Sequence, residues 1–145
     1  MTAFTIDNNN KSIYAFLHKA DSSFQPPLSK RLSITDYAKK LADHAQNIFA
    51  VRSNKNVAHA ALYVNDLEHH KAFLSSIAVL PEFCNQGIGE QLMLECFSCA
   101  KAHGMKYLVL EVSHESTKAI ALYKRNGFTS IEKLCCESLV MQKLL

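Results

Sequence analysis

Residues 76–94, SIAVLPEFCNQGIGEQLML, decide how the rest of the chain is organised. An apolar run stops at Pro81, a short polar turn follows, and Gly87 and Gly89 precede a segment with the apolar spacing of a helix. Neither glycine carries a Cβ, so the backbone there can approach a ligand closely. A helix N-terminus offers unpaired N–H groups and a positive dipole end, which favour an anionic phosphate. The pattern is compatible with a diphosphate-binding turn and with a plain strand-to-helix turn.

The length and composition of the chain predict a single domain spanning residues 1–145. With 48% hydrophobic and 20% charged residues, the chain is apolar enough to fold around a core. The formal net charge of +3 could help to attract an anionic cofactor or substrate. No basic run is dense enough to indicate nucleic-acid binding, and we expect Ser29, Lys30 and Arg31 to form solvated helix surface.

The N-terminal segment and the cysteines predict a cytoplasmic protein without a metal site. Residues 1–7 lack the basic and apolar regions of a signal peptide, and no apolar run is long enough to cross a membrane. The five cysteines are odd in number and do not form a disulfide framework, so we expect them to be reduced and mostly buried. Neither Cys96 with Cys99 nor Cys135 with Cys136 has partners at zinc spacing.

The hydrophobic periodicity predicts an α+β domain in the order β-α-α-β-β-β-α-β-α-β-β. Strands 71–79 and 107–112 are linked through a helix, so we expect them to be parallel neighbours. The two preceding strands form a hairpin around a turn at 53–56. The predicted strands are 3–6, 47–52, 57–64, 71–79, 107–112, 128–133 and 135–142, and the predicted helices contain 12–17, 37–45, 88–103 and 117–125.

Two motifs in this order make the chain resemble the GNAT N-acetyltransferase superfamily. The first motif of that superfamily is a strand, then Arg/Gln-x-x-Gly-x-Gly/Ala, then a helix; residues 76–82 and 84–89 match it. The second motif, a helix ending in Leu-Tyr-x-x-x-Gly-Phe, is matched by residues 122–128. The resemblance covers nearly the whole chain. It implies a GNAT-like fold, with a mixed, mostly antiparallel sheet and a central pair of parallel strands.

The resemblance implies that acetyl-CoA is the acetyl donor. In the superfamily, backbone amides of the glycine turn hold the diphosphate, and the pantetheine arm pairs like an extra strand with the preceding strand. The parallel pair separates there, so that the thioester can enter. Carried over to this chain, the diphosphate contacts are Gln86, Gly87, Ile88 and Gly89, and the pantetheine contacts are Ile77, Ala78 and Val79.

Three positions depart from the superfamily pattern around the donor. Cys84 stands where Arg or Gln is usual, so one polar contribution near the phosphates is missing. Asn85 replaces a frequent glycine, and Asn is the ordinary residue best suited to a positive φ. Ser116 stands where many relatives place an Asn; we count it as a cofactor contact that can also cap the final helix. The backbone contacts of the glycine turn do not depend on these side chains.

The resemblance assigns a general acid and a candidate base. Tyr123 occupies the usual acid position, and a phenol with a reference pKa of about 10 is protonated at neutral pH; without the resemblance it would be a core tyrosine. Glu111, the one acid in an apolar strand, is expected to face a cleft, where burial would suit a base acting through water. The ribosomal-protein alanine acetyltransferases carry Glu at this position. A structural ion pair or an exposed edge residue is the alternative, and His114 is a further candidate base or substrate contact.

The sequence does not decide which amine is the acceptor. Phe24 and Tyr37 are expected to shape its pocket, and Phe73 and Ser75 to face it. A small amine, an amino sugar and a protein N-terminus all suit such a chain.

The predicted activity is N-acetylation of a primary amine, by direct attack on acetyl-CoA in a ternary complex. A covalent route through Cys84 is not expected, because that residue lies at the phosphate end. The rivals are a non-catalytic acyl-CoA-binding or sensing module and an unrelated α+β domain. Homodimers are common in the superfamily, but no feature of this sequence identifies an interface.

Overall fold

The fold is described from a computed structural model of the chain, which covers residues 1–133 and 138–145. Its elements follow the predicted order. They are β1 (Ala3–Ile6), α1 (Asn10–Lys19), α2 (Ile34–His44), β2 (Gln46–Arg52), β3 (Lys55–Tyr63), β4 (Lys71–Val79), α3 (Ile88–Ala102), β5 (Tyr107–Ser113), α4 (Thr117–Arg125), β6 (Thr129–Lys133) and β7 (Ser138–Leu144). The first part of the predicted strand 135–142, with Cys135 and Cys136, lies outside the described residues.

Seven strands of the described chain form one mixed sheet in the order β1-β2-β3-β4-β5-β7-β6. The β4–β5 pair is parallel, and every other neighbouring pair is antiparallel. A parallel pair needs a crossover connection, and α3 provides it between β4 and β5. The predicted fold class and the central parallel pair are therefore confirmed.

The parallel pair separates halfway along its strands. Pairing between β4 and β5 ends where Leu74 meets Leu110. Beyond that point β4 continues to Val79 along β3, and β5 continues to Ser113 along β7. A register shift on the β3 side leaves Ser75 as an extra residue in β4, and such a bulge bends the strand that carries it. The sheet therefore opens into a cleft at its centre.

Helices cover the sheet on two sides and enclose two cores. On one side, α1 and α2 bury Leu17 and Leu41 against Phe49 of β2. On the other side, α3 buries Leu92 against Leu108 of β5, and α4 contributes to the same cluster. The spacing of apolar residues in each helix places them on one face, so burying that face positions the helix ends around the cleft.

A polar network centred on the buried Asn47 joins the sheet to α2 and to Asn8, which precedes α1. Asn47 donates from Nδ2 to Oδ1 of Asn8 over 3.0 Å and to the carbonyl of Leu41 over 2.9 Å. Its Oδ1 is then the acceptor for Nε2–H of His59 at 2.9 Å. Burial lowers the pKa of His59 to about 3, so the imidazole is neutral near pH 7. No sequence pattern had singled out this histidine.

The predicted hairpin turn at 53–56 was too long. The hairpin turn is Ser53-Asn54 alone, with φ of 48° and 63°, and the next two residues already belong to β3. A two-residue turn with both φ values positive matches the twist of paired strands. Of the three cysteines among the described residues, Cys84 is exposed, Cys99 is half-buried and Cys96 is buried.

Among the described residues, no helix is both long enough and apolar enough to cross a lipid bilayer.

Candidate active site

The cleft between β4 and β5 contains a cavity of about 180 Å³. Its walls come from the α1–α2 connection, the bulged part of β4, the end of β5 and the first turns of α4. Six of the residues predicted from the sequence line this one cavity: Phe24, Ser75, Ile77, Glu111, Ser116 and Tyr123.

Tyr123 on α4 presents a protonated phenol to the cavity. Its side chain is 8% exposed and packs against Phe128, with the ring centroids 5.6 Å apart. Burial raises the pKa of Tyr123 to about 12, because removing the ring from water disfavours the phenolate. The residue is therefore a core tyrosine, and it also has the protonation state that a general acid needs at neutral pH.

Glu111 lines the same cavity from β5, but it is exposed, so the expectation that it would be buried was wrong. There β5 pairs with β7 at Val140, and its other edge is open because pairing with β4 ends at Leu110. It forms no ion pair with any described residue. A carboxylate in this position remains open to a ligand and to water.

The bulge of β4 is held from behind by Tyr37 of α2. The hydroxyl of Tyr37 lies 2.5 Å from Oγ of Ser75 and donates to Oγ of Ser76 over 3.2 Å. Tyr37 itself does not line the cavity, and neither does Phe73, which is 38% exposed. Of the four residues predicted to shape or face the acceptor pocket, Phe24 and Ser75 line the cavity. Tyr37 contacts the cavity residues Ser75 and Ser76, and Phe73 does not line the cavity.

The predicted diphosphate turn has the backbone of an anion site. Helix α3 begins at Ile88, and its N-cap Gly87 has φ of 79° and no side chain capping the helix. Asn85 has φ of 64°, as predicted for a residue standing in place of glycine. Within the described chain, the backbone N–H groups of 86–89 donate no hydrogen bond. Adjacent orphan donors at a helix N-terminus suit a phosphate, so this turn fits the diphosphate that the superfamily resemblance implies.

Side chains around this turn make internal contacts. Nη1 of Arg52 donates to Oε1 of Gln86 over 2.5 Å, and Nε of the same arginine donates to Thr2 over 2.9 Å. Sγ of Cys84 donates weakly to the carbonyls of Val79 and Leu80, at 3.7 Å and 3.6 Å. The cysteine therefore contacts the end of β4, at the position where relatives carry Arg or Gln.

The backbone of β4 leads from the turn to the cavity. Ile77, Ala78 and Val79 pair with β3 along one edge, whereas pairing with β5 on the other edge has already ended at Leu74. The side chain of Ala78 is buried beneath α1 and α2, and that of Ile77 lines the cavity. An extended group can therefore pair with the open edge in the manner of an added strand.

Ser116 occupies the N-cap position of α4, but its side chain makes no capping hydrogen bond. The prediction that this serine can cap the helix was wrong. Ser116 lines the cavity. His114 is exposed and does not line the cavity. No group of three or more His, Cys, Asp or Glu side chains that could hold a metal ion occurs in the part of the chain that the structure describes.

Arg31 is a charged cavity residue that the sequence did not indicate. It was expected on a solvated helix surface, but it follows a short 3-10 helix, Leu28–Lys30, and lines the cavity while remaining exposed. The available signal was its position just after Pro26 and Pro27, since a stiff loop beside a cleft often carries binding residues.

Comparisons with known proteins agree with this geometry. The model of the acetyltransferase (GNAT) family matches residues 11–128. Ard1 from Thermoplasma volcanium superposes with a TM-score of 0.80 at 19% identity, covering 99% of this chain and 97% of that one. The ribosomal-protein-S18-alanine N-acetyltransferase of Escherichia coli superposes with a TM-score of 0.79 at 21% identity, covering 99% and 94%.

A GNAT family acetyltransferase from Elizabethkingia anophelis, with acetyl-CoA bound, superposes with a TM-score of 0.76 at 19% identity, covering 99% of this chain and 98% of that one. A search of proteins with curated functions gave no significant match. At these identities the structures establish a shared fold, and the family model matches well over half of the chain. The chain belongs to the acetyltransferase (GNAT) family.

Proposed function

We propose that this protein transfers an acetyl group from acetyl-CoA to a primary amine, by direct attack within a ternary complex. The observation that carries the proposal is the meeting of Tyr123 and Glu111 in one cavity, where β4 leaves β5. The open edge of β4 runs from that cavity towards the N–H groups of 86–89, which have no partner in the described part of the chain. A donor site and an acid–base pair are therefore joined by a single strand.

The donor site takes its specificity from backbone groups. The N–H groups of Gln86, Gly87, Ile88 and Gly89 would hold the diphosphate, and the open edge of Ile77 to Val79 would hold the pantetheine arm. Acetyl-CoA supplies an acetyl group activated as a thioester. The acetyl-CoA-bound neighbour from Elizabethkingia anophelis shares this fold and supports that choice of donor.

Tyr123 and Glu111 divide the proton transfers. As the amine nitrogen bonds to the acetyl carbonyl carbon, the carbon–sulfur bond breaks and the departing sulfur takes the phenolic proton of Tyr123. The ammonium first gives up one proton to Glu111 through a water, which the exposure of that carboxylate permits, and Glu111 releases this proton to solvent. After the attack, the second proton of the nitrogen passes to the phenolate of Tyr123, and the products are an amide and free CoA.

The geometry does not favour a covalent route through cysteine. Cys84 is next to the diphosphate turn, with its thiol directed to the carbonyls of Val79 and Leu80. It does not line the cavity that contains Tyr123 and Glu111. We therefore propose direct attack by the amine on the thioester, without an acetyl-cysteine intermediate.

Thiol release from acetyl-CoA tests the proposal. The panel contains small amines, amino sugars and N-terminal peptides, with acetyl-CoA alone as the blank. At least one acceptor is expected to raise thiol release above the blank. Mass spectrometry is expected to find that acceptor heavier by about 42 Da, because an acetyl group replaces one hydrogen atom. Tight CoA binding without turnover on any acceptor would instead identify a non-catalytic acyl-CoA-binding module.

A further inference from the structure

Two side chains of opposite charge share the cavity without pairing. Arg31 lines it from the α1–α2 connection, and Glu111 lines it from β5. Neither forms an ion pair with a described residue; the ion pairs found in the described chain are Arg125 with Glu90 and His69 with Asp66. An arginine and a glutamate that face one cavity, and that have no ion-pair partner among the described residues, provide two separate points of attachment for a ligand.

The backbone beneath Arg31 is well anchored. Its N–H donates to the carbonyl of Leu28 over 3.0 Å, and the Leu28 side chain is 1% exposed. The carboxylate of Asp21 accepts from both the N–H and the hydroxyl of Ser29, at 2.7 Å and 2.6 Å. These bonds to Ser29 also lower the pKa of Asp21, so the carboxylate persists at neutral pH. The connection therefore presents the guanidinium from a fixed segment.

The cavity is distinct from the diphosphate turn. None of residues 86–89 lines it, whereas Tyr123 and Glu111 do. Arg31 is thus placed at the reacting end of the proposed donor site. A guanidinium at that end is available to the acceptor.

We propose that the acceptor is a small primary amine that also carries an anionic oxygen group, either a carboxylate or a phosphate. The inference rests on the proposed function and names its substrate class. Glu111 attracts the ammonium group and receives its proton through water, and Arg31 binds the anionic group. The planar guanidinium offers two parallel N–H donors, which match both carboxylate and phosphate oxygens. An acceptor without an anion leaves Arg31 to water.

Matched acceptors test this inference in the thiol-release assay. Butylamine is compared with 4-aminobutanoate, and 2-methoxyethylamine is compared with O-phosphoethanolamine; glycine, β-alanine and 5-aminopentanoate vary the spacing between the amine and the carboxylate. We expect kcat/KM for the preferred anionic acceptor to exceed that of its uncharged partner about tenfold, the scale of one charge-assisted hydrogen-bonded contact. The carboxylate and phosphate arms show which anion is preferred.

Substitutions at Arg31 then connect the preference to the cavity. In Arg31→Gln the ratio between the anionic and the uncharged acceptor is expected to fall towards one, and Arg31→Lys is expected to keep part of it. Lys30→Gln is the control, because this neighbouring cation is exposed and does not line the cavity. It should keep the wild-type ratio. Acetyl-CoA affinity and thermal unfolding, measured for each variant, show whether the site is intact.

The outcomes separate this inference from the function on which it rests. Turnover of amines with no preference for an anionic group, or a preference that survives Arg31→Gln, overturns the inference and leaves the acetyltransferase activity standing. Turnover confined to peptides regardless of their charge does the same. Absence of turnover with every acceptor, while acetyl-CoA still binds, overturns both.

Discussion

The two sides of the cleft are built on different principles. The proposed donor side, from Ile77 to Gly89, consists of an open strand edge and of N–H groups that have no partner among the described residues, so its proposed binding groups belong to the backbone. The proposed acceptor side consists of side chains from the α1–α2 connection and β5, led by Arg31 and Glu111. Backbone groups tolerate changes such as Cys84 and Asn85, whereas an acceptor site changes with every substitution in its walls. One fold can therefore keep its donor and vary its acceptor.

The largest expected effect comes from Tyr123, where the two sides meet. Tyr123→Phe removes the proton donor while keeping the ring that packs against Phe128. Turnover is expected to fall about 10²- to 10⁴-fold, the usual range for loss of a general acid, with little change in acetyl-CoA affinity. Steady-state thiol release and calorimetric titration measure the two quantities. Tyr14→Phe, which alters an exposed tyrosine on α1, is the control. Unchanged turnover in Tyr123→Phe would remove Tyr123 from the mechanism.

The donor side can be tested with two glycines in the same conformation. Gly87 and Gly104 have φ of 79° and 78°, and a Cβ built at either would meet no atom within 4 Å. Alanine therefore introduces similar backbone strain at both sites. We expect Gly87→Ala to weaken acetyl-CoA binding about tenfold, since strain of this kind is worth about 1–3 kcal/mol and would displace the binding amides. Gly104→Ala should lose similar stability and bind normally; equal affinities in the two variants would argue against the diphosphate turn.

The core beneath α1 and α2 contains a group, His59 of β3, that makes stability depend on pH. The pKa of His59 falls from 6.5 to about 3 on folding, so the unfolded chain binds a proton between these values that the folded chain does not. The free energy of unfolding should therefore decrease as the pH falls from about 6.5 towards 3, by up to about 1.4 kcal/mol per pH unit from this group.

Urea unfolding at a series of pH values measures that slope. His59→Gln removes the titrating group. It is expected to reduce the slope by up to about 1.4 kcal/mol per pH unit, the contribution of one proton, whatever the stability of the variant at neutral pH. His44→Gln, at an exposed histidine, should leave the slope unchanged. A slope that is the same in His59→Gln and in the wild type would contradict the assignment.

The smallest expected effect concerns the bulge in β4. Tyr37→Phe deletes the hydroxyl that contacts Ser75 and Ser76, while α2 keeps its packing. A hydrogen bond of this kind contributes about 1 kcal/mol, so we expect a comparable loss of stability and a fall in kcat/KM of about five-fold. Acetyl-CoA affinity should hold, because Tyr37 lies on the acceptor side. A loss of donor affinity would show that the bulge positions the donor instead.

The local structure of the proposed donor side could be predicted from the sequence, because short-range chemistry specifies it. A strand, a proline and a glycine turn lie within residues 76–94, and the positive φ of Asn85 follows from its own short side chain. The parallel arrangement of β4 and β5 follows from the intervening helix. These features need only short-range information.

The acceptor side depends on packing between distant segments. Arg31 reaches the cavity because Leu28 is buried and Asp21 holds Ser29, and neither contact has a sequence signature. Glu111 was expected to face a cleft, because an unpaired acid is costly to bury among apolar strand residues, and to be partly buried there; the opening of the sheet leaves it exposed. Residues separated by long stretches of chain decide both outcomes.

Hydrogen–deuterium exchange on addition of each ligand tests the division between the two sides most directly. Acetyl-CoA should protect the amides of 76–90, where the N–H groups of 86–89 have no partner in the described chain, and should leave 21–37 unchanged. Adding an acceptor together with CoA should then protect 21–37. Protection of 21–37 by acetyl-CoA alone, with 86–89 still exchanging freely, would contradict this account of the site.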